Sequence, residues 1–200
     1  MLKSGLLLIC MIVGSFSHLK SQSTLPSDSV HVFYSIEEAA KDPDKVIKLN
    51  LSKKKLTAFP LQILSFRHLQ YLSLNTNRLT SVPSDIGKLE ELETLDLSKN
   101  KIRELPPEIG DLKNLKHLIL YQNDIDTIPP EIGQLKKLIV LDLWDNELST
   151  LPGTIKNLVH LEILDLRGIL FTERQLLFFK ELLPEATIYS SPSCGTCKDP

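Results

Sequence analysis

The sequence predicts an α/β solenoid, a single stack of short coils with a helix at either end. Three observations predict it. Apolar residues recur with a period of 23 from Val46 to Leu161. Each period opens with a Leu-x-Leu pair, which puts two side chains on one side of a short strand. Helix-start signals lie outside the periodic region, at Ser35 and Thr172.

The period is explicit. Val46, Leu69, Leu92, Leu115, Leu138 and Leu161 occupy position 1. Positions 4 and 6 are leucine in all six units, from Leu49 and Leu51 to Leu164 and Leu166. Position 11 is Leu56, Leu79, Ile102, Ile125 and Leu148; position 14 is Phe59, Val82, Leu105, Ile128 and Leu151. A proline follows each time, at 60, 83, 106, 129 and 152, and excludes a regular helix at that point. Ile63, Ile86, Ile109, Ile132 and Ile155 hold position 18. Phe66, Leu89, Leu112, Leu135 and Leu158 hold position 21. One coil buries only part of these side chains. Stacking makes the core continuous, at roughly 1.5–3 kcal/mol per fully buried side chain. That gain must offset about 1–2 kcal/mol of backbone ordering per residue, so a single coil does not fold alone.

Position 9 carries Asn77, Asn100, Asn123 and Asn146. The chain leaves the strand there, and a buried amide supplies both donors and an acceptor to backbone groups that lose their sheet partners. Lys54 and Ile169 replace it in the first and sixth units, where the stack should end.

These residues, and stretches such as "LPPEIGDLKNLKHLIL", resemble the leucine-rich repeat family over roughly residues 46–170. The 23-residue class is similar to bacterial exported repeat proteins and to Ras-associated repeat proteins. The resemblance implies a right-handed leucine-rich repeat solenoid, a horseshoe with a parallel concave sheet and loops or short helices on the convex side. It also implies protein–protein recognition.

The ends are read as structural. Ser35 with Glu38, and Thr172 with Gln175, have capping-box spacing. They predict a short helix from Ile36 ending before Pro43, and a second over Glu173–Leu183 that lays Leu176, Phe179 and Leu183 on the last coil. "TIYSS" adds a candidate edge strand. The expected divisions are a signal peptide over 1–23, an N-terminal cap over 24–45, repeats over 46–168 (five full and one partial), and a C-terminal cap and tail over 169–200.

Lys3, the apolar run Leu6–Val13 and small residues Ser15 and Ser17 have the layout of a secretory signal. The run is too short to span a membrane. Ile9 before Cys10 argues against a lipoprotein signal. The expected location is secreted, periplasmic or cell surface, with no stable membrane insertion after signal removal. Removing the signal leaves Cys194 and Cys197, expected to pair as a disulfide. Redox and zinc readings of this pair fail for want of a following helix and of further ligands.

Net charge is −2, which gives no pointer to nucleic acid. Side chains left for function occupy positions 3, 5, 7 and 8. The early units offer small polar groups and lysines. The later units offer His117, Ile119, Tyr121, Val140, Trp144 and Ile163, rimmed by Asp142, Asp145, Asp165 and Arg167. Aromatic and arginine side chains carry a large share of contact energy, which predicts a partner-binding patch here. The same aromatics also fit a role in which they pack sideways on their neighbours. Asp142 and Asp165 read as two solvated acids awaiting a basic partner. No catalytic set, metal site or cofactor loop is predicted.

Six strands at about 4.8 Å spacing and about 17 Å long give a face of roughly 400 Å², against about 800 Å² per partner in a standard interface. The reading is a non-enzymatic exported protein that binds a protein or peptide through its concave face. Three alternatives remain: a glycan-binding adhesion module using Tyr121 and Trp144, a cytoplasmic small-GTPase scaffold if the N-terminus is retained, and a hydrolase using Asp142 and Asp165.

Overall fold

The computed structural model describes residues 30–191. The expected signal peptide and the expected Cys194–Cys197 disulfide lie outside the described residues. Among the described residues, eight parallel strands form one sheet in chain order. They are β1 (Val32–Phe33), β2 (Lys48–Asn50), β3 (Tyr71–Ser73), β4 (Thr94–Asp96), β5 (His117–Ile119), β6 (Val140–Asp142), β7 (Ile163–Leu166) and β8 (Thr187–Ser190). Equivalent positions of successive units pair directly: Leu49, Leu72, Leu95, Leu118, Leu141 and Leu164 form one row, and all are fully buried. The 23-residue period is therefore the vertical repeat of the stack.

Opposite the sheet, each unit closes with a five-residue 3₁₀ turn: Leu61–Ser65, Ser84–Lys88, Pro107–Asp111, Pro130–Gln134 and Gly153–Asn157. The recurring proline sits just before each turn in extended conformation and sets its start. The buried isoleucine of each turn meets the strand leucines in a single continuous core.

The asparagine column behaves as its chemistry requires. Asn100 accepts the Leu79 N–H at 3.0 Å and donates to the carbonyls of Leu74 (3.1 Å), Leu97 (2.9 Å) and Ser98 (3.2 Å). Asn77, Asn123 and Asn146 repeat the pattern, so every amide ties its own coil to the one before it.

The glycines of the convex turns need space rather than unusual backbone angles. Among the described residues, Gly168 is the glycine with positive φ. A Cβ on Gly110 would lie 2.5 Å from the Glu131 carbonyl oxygen, and one on Gly133 would lie 2.4 Å from that of Thr154. Gly153, next to the last coil, would meet nothing within 4 Å. Gly133→Ala is therefore expected to destabilise by about 1–3 kcal/mol through overpacking. Gly153→Ala should be neutral or stabilise by up to about 1 kcal/mol. Urea unfolding midpoints of the two variants check this, and equal midpoints would refute the packing account.

At the ends, α1 (Ile36–Ala39) is a single turn, capped by the Ser35 hydroxyl at 3.1 Å from the Glu38 N–H. It starts at Ile36 and ends before Pro43, as the spacing predicts. The chain tightens into i→i+3 bonds ending at Asp42, before the restriction that Pro43 places on its predecessor. The second helix, α2 (Glu173–Leu182), starts with a complete Thr172/Gln175 capping box. It contributes Phe179, buried edge-on against Phe171, and Leu183 follows it into the core. Strand β1 has no counterpart in the sequence reading. Its two residues show no period, and they are in a sheet because β2 offers them an edge.

Candidate partner-binding face

Strand positions 3 and 5 form two rows on the concave side of the sheet. One row runs Lys48, Tyr71, Thr94, His117, Val140, Ile163 and Thr187. The other runs Asn50, Ser73, Asp96, Ile119, Asp142, Asp165 and Tyr189. Positions 7 and 8 follow at the strand ends. The rows divide into two chemically distinct halves.

The first half is a closed polar network. Ser52 and Ser73 share a hydrogen bond of 2.9 Å, and Ser73 donates to Asp96 Oδ2 at 3.1 Å. Ser98 donates to Asp96 Oδ1 through its hydroxyl (2.5 Å) and its N–H (3.1 Å). Asn75 donates to the Ser98 hydroxyl. Burial raises the Asp96 carboxyl above its ordinary value, and these donors oppose the shift. His117 meets the Thr94 hydroxyl at 3.2 Å, and burial lowers its imidazole below the ordinary value.

The second half is apolar. Ile119, Tyr121 and Val140 form a buried cluster separate from the main core, with Ile139 and Ile163 packed against it. Tyr121 stacks on Trp144 with ring centroids 5.5 Å apart, and the Lys99 ammonium lies 5.7 Å from the Tyr121 ring. The Arg167 guanidinium lies 6.0 Å from the Trp144 ring and 5.7 Å from that of Tyr189. Lys99, the stacked Tyr121 and Trp144, Arg167 and Tyr189 thus form one ladder of cations and rings across the face.

Two expectations need correction. Tyr121 is only 6% exposed, so it packs sideways under Trp144 instead of offering its ring to a partner; Ile119 and Val140, at 7% each, are likewise mostly covered. The outward parts of the patch are Trp144, 36% exposed, and the half-buried Ile163, which pairs with Val140. The two acids, too, are not simply solvated. Asp165 is buried and is held by Arg167 through Nε (2.9 and 3.1 Å) and Nη2 (2.5 Å), an interaction that raises the guanidinium pKa. Asp142 accepts the Trp144 N–H at 3.1 Å, and burial, assisted by the charge of Asp165, pushes its carboxyl up to about 6. Asp145 is exposed and accepts a bond from Gln122 at 3.2 Å.

Lys99, which the sequence reading grouped with the polar early units, and Tyr189, which it did not place on the face, both belong to this ladder. Tyr189 follows Asp165 by 24 residues, because α2 shifts the period by one. Continuing the Leu-x-Leu alternation into "TIYS" is the signal that finds it. Among the described residues, no group of three or more His, Cys, Asp or Glu is placed to hold a metal ion. Among them, no helix is long and apolar enough to cross a membrane.

Two family models match the chain: a leucine-rich repeat region over residues 45–123 and a leucine rich repeat over 113–168. Among solved structures, a Leptospira interrogans leucine-rich repeat protein is similar at 41% identity and a TM-score of 0.66, over 67% of this chain and 34% of that one. The plant peptide hormone receptor RGFR1 in complex with RGF2 is similar at 33% identity and a TM-score of 0.61, over 71% of this chain and 24% of the receptor. So is the ectodomain of the Arabidopsis thaliana membrane receptor kinase GASSHO1/SCHENGEN3 in complex with CASPARIAN STRIP INTEGRITY FACTOR 2, at 28% identity and a TM-score of 0.59, over 75% and 22%. The chain thus spans about a third of the first of these proteins and a quarter or less of the other two. No curated protein matches it. Through the repeats of residues 45–168, the chain belongs to the leucine-rich repeat family.

Proposed function

We propose that the protein is an exported, non-enzymatic module that binds another protein or a peptide through the concave face of β5–β7. One observation carries the reading: an apolar cluster sits on that face, outside the main core, with Trp144 and Ile163 still reachable. Folding alone does not require it, because the N-terminal half of the same rows is polar and equally regular. The plant receptors similar to this chain are solved in complex with RGF2 and with CASPARIAN STRIP INTEGRITY FACTOR 2, which supports a peptide-sized partner. Asp165 is sequestered by Arg167, so the two-carboxylate hydrolase reading loses one of its acids. The signal-like N-terminus supports export.

The test is a crosslinking pull-down from native material with wild type and Trp144→Ala in parallel. Loss of a central tryptophan costs 2 kcal/mol or more, a fall of about 30-fold or greater in affinity. The partner recovered by wild type should be depleted accordingly, and equal recovery would remove the patch. N-terminal sequencing of the same native protein should begin near residue 18 or 24; a chain starting at Met1 would refute export.

A further inference from the structure

We propose that the concave face binds an extended peptide segment presenting a lysine or arginine beside an aliphatic residue. The cation is received by the open oxygen of Asp142, and the aliphatic group rests on Trp144 and Ile163. This rests on the concave-face reading above and adds the chemistry of the partner.

Three aspartates occupy the same strand position and serve as internal controls for one another. Asp96, Asp142 and Asp165 each accept the N–H two residues on through Oδ1, all at 3.1 Å. They differ at the second oxygen. Asp96 Oδ2 receives Ser73 from the preceding strand. Asp165 Oδ2 receives the guanidinium of Arg167, two residues on. Among the described residues, Asp142 Oδ2 meets no donor. Its neighbour on the preceding strand is Ile119, and the residue two on is Trp144. At this one aspartate, apolar side chains stand in both places that supply donors to the others.

The surroundings favour a cation over a neutral donor. The two nearby cations of the chain are engaged elsewhere, Lys99 against Tyr121 and Arg167 on Asp165 between two rings. The adjoining rim carries Asp124, Asp145 and Glu147 around a shallow hollow, so the local field is negative. Asp142 is half-buried, and burial raises its carboxyl further than the Trp144 N–H and the charge of Arg167 lower it, so its charge is only partly compensated within the chain. A charge-assisted bond to an arriving ammonium or guanidinium would compensate it. Main-chain groups of the segment add nothing to this selectivity, which makes the side-chain pair the recognisable signature.

Random twelve-residue peptides displayed on phage, selected at pH 7.5 on the intact protein, test the assignment. Wild type should enrich Lys or Arg next to Leu, Ile, Val or an aromatic residue. Asp142→Asn, which keeps an oxygen for the Trp144 N–H, should lose the basic preference. It should also bind the best wild-type peptide about tenfold or more weakly. If Asp142→Asn keeps the basic preference while Trp144→Ala loses binding, the cation assignment fails and the concave-face reading stands. If Trp144→Ala keeps the wild-type set at wild-type affinity, the concave-face reading fails and the assignment falls with it. If wild type enriches nothing over bare resin, an extended segment is excluded as the partner, and a folded protein surface is the remaining form of that reading.

Discussion

Asn100→Ala is expected to lower the unfolding free energy by about 3–4 kcal/mol, the largest effect of any substitution considered for this chain. The amide makes four bonds to backbone groups of two coils, at 2.9–3.2 Å, and the residue is only 9% exposed. Alanine leaves one N–H and three carbonyls without that partner. Each unsatisfied buried group costs about 1–3 kcal/mol, partly relieved by water entering the vacated space. The lysine that holds the same position in the first unit, Lys54, is exposed, so Lys54→Ala should change stability by less than about 0.5 kcal/mol. Urea unfolding of both variants decides the matter. A loss under about 1 kcal/mol for Asn100→Ala would mean that the ladder follows from the stack and does not hold it together.

Asp142→Asn is expected to make the protein more stable at neutral pH. Burial raises the Asp142 carboxyl from the ordinary 3.8 to about 6 in the folded chain. Between those values the folded state holds a proton that the unfolded state has released. Stability of wild type therefore falls as pH rises through that window and stays lower above it. The shift corresponds to a cost of up to about 3 kcal/mol at pH 7. Asparagine has no such step. The gap between variant and wild type should close near pH 4, open between pH 4 and 6, and reach its limit by pH 7. Asp96 is shifted in the same direction in both proteins, and its charge is the smallest of the causes acting on Asp142. Unfolding midpoints at four pH values give the result directly; two parallel curves would show that Asp142 carries no folding penalty.

A carboxylate that costs stability and has one oxygen open fits a surface whose counter-charge arrives from outside. Arg167 already provides that compensation to Asp165 one strand away, which leaves Asp142 as the unbalanced member of the pair.

The stack is legible in the residue spacing alone. The leucine rows, the proline before each convex turn, the asparagine column and the Thr172 capping box all act through local spacing, and each coil supplies the same environment to the next. The two-residue strand β1 was not legible, because it depends on an edge that forms only once the coils are assembled. Nor was the character of the concave face. Asp96, Asp142 and Asp165 are equivalent by position, yet one is held by serines, one is half-open and one is locked to an arginine. Tyr121 and Trp144 are equivalent too, yet one is covered and the other reachable. These outcomes follow from contacts between coils. A side chain on this face is governed by the residue one coil away, brought alongside it by a register that exists only in the folded sheet.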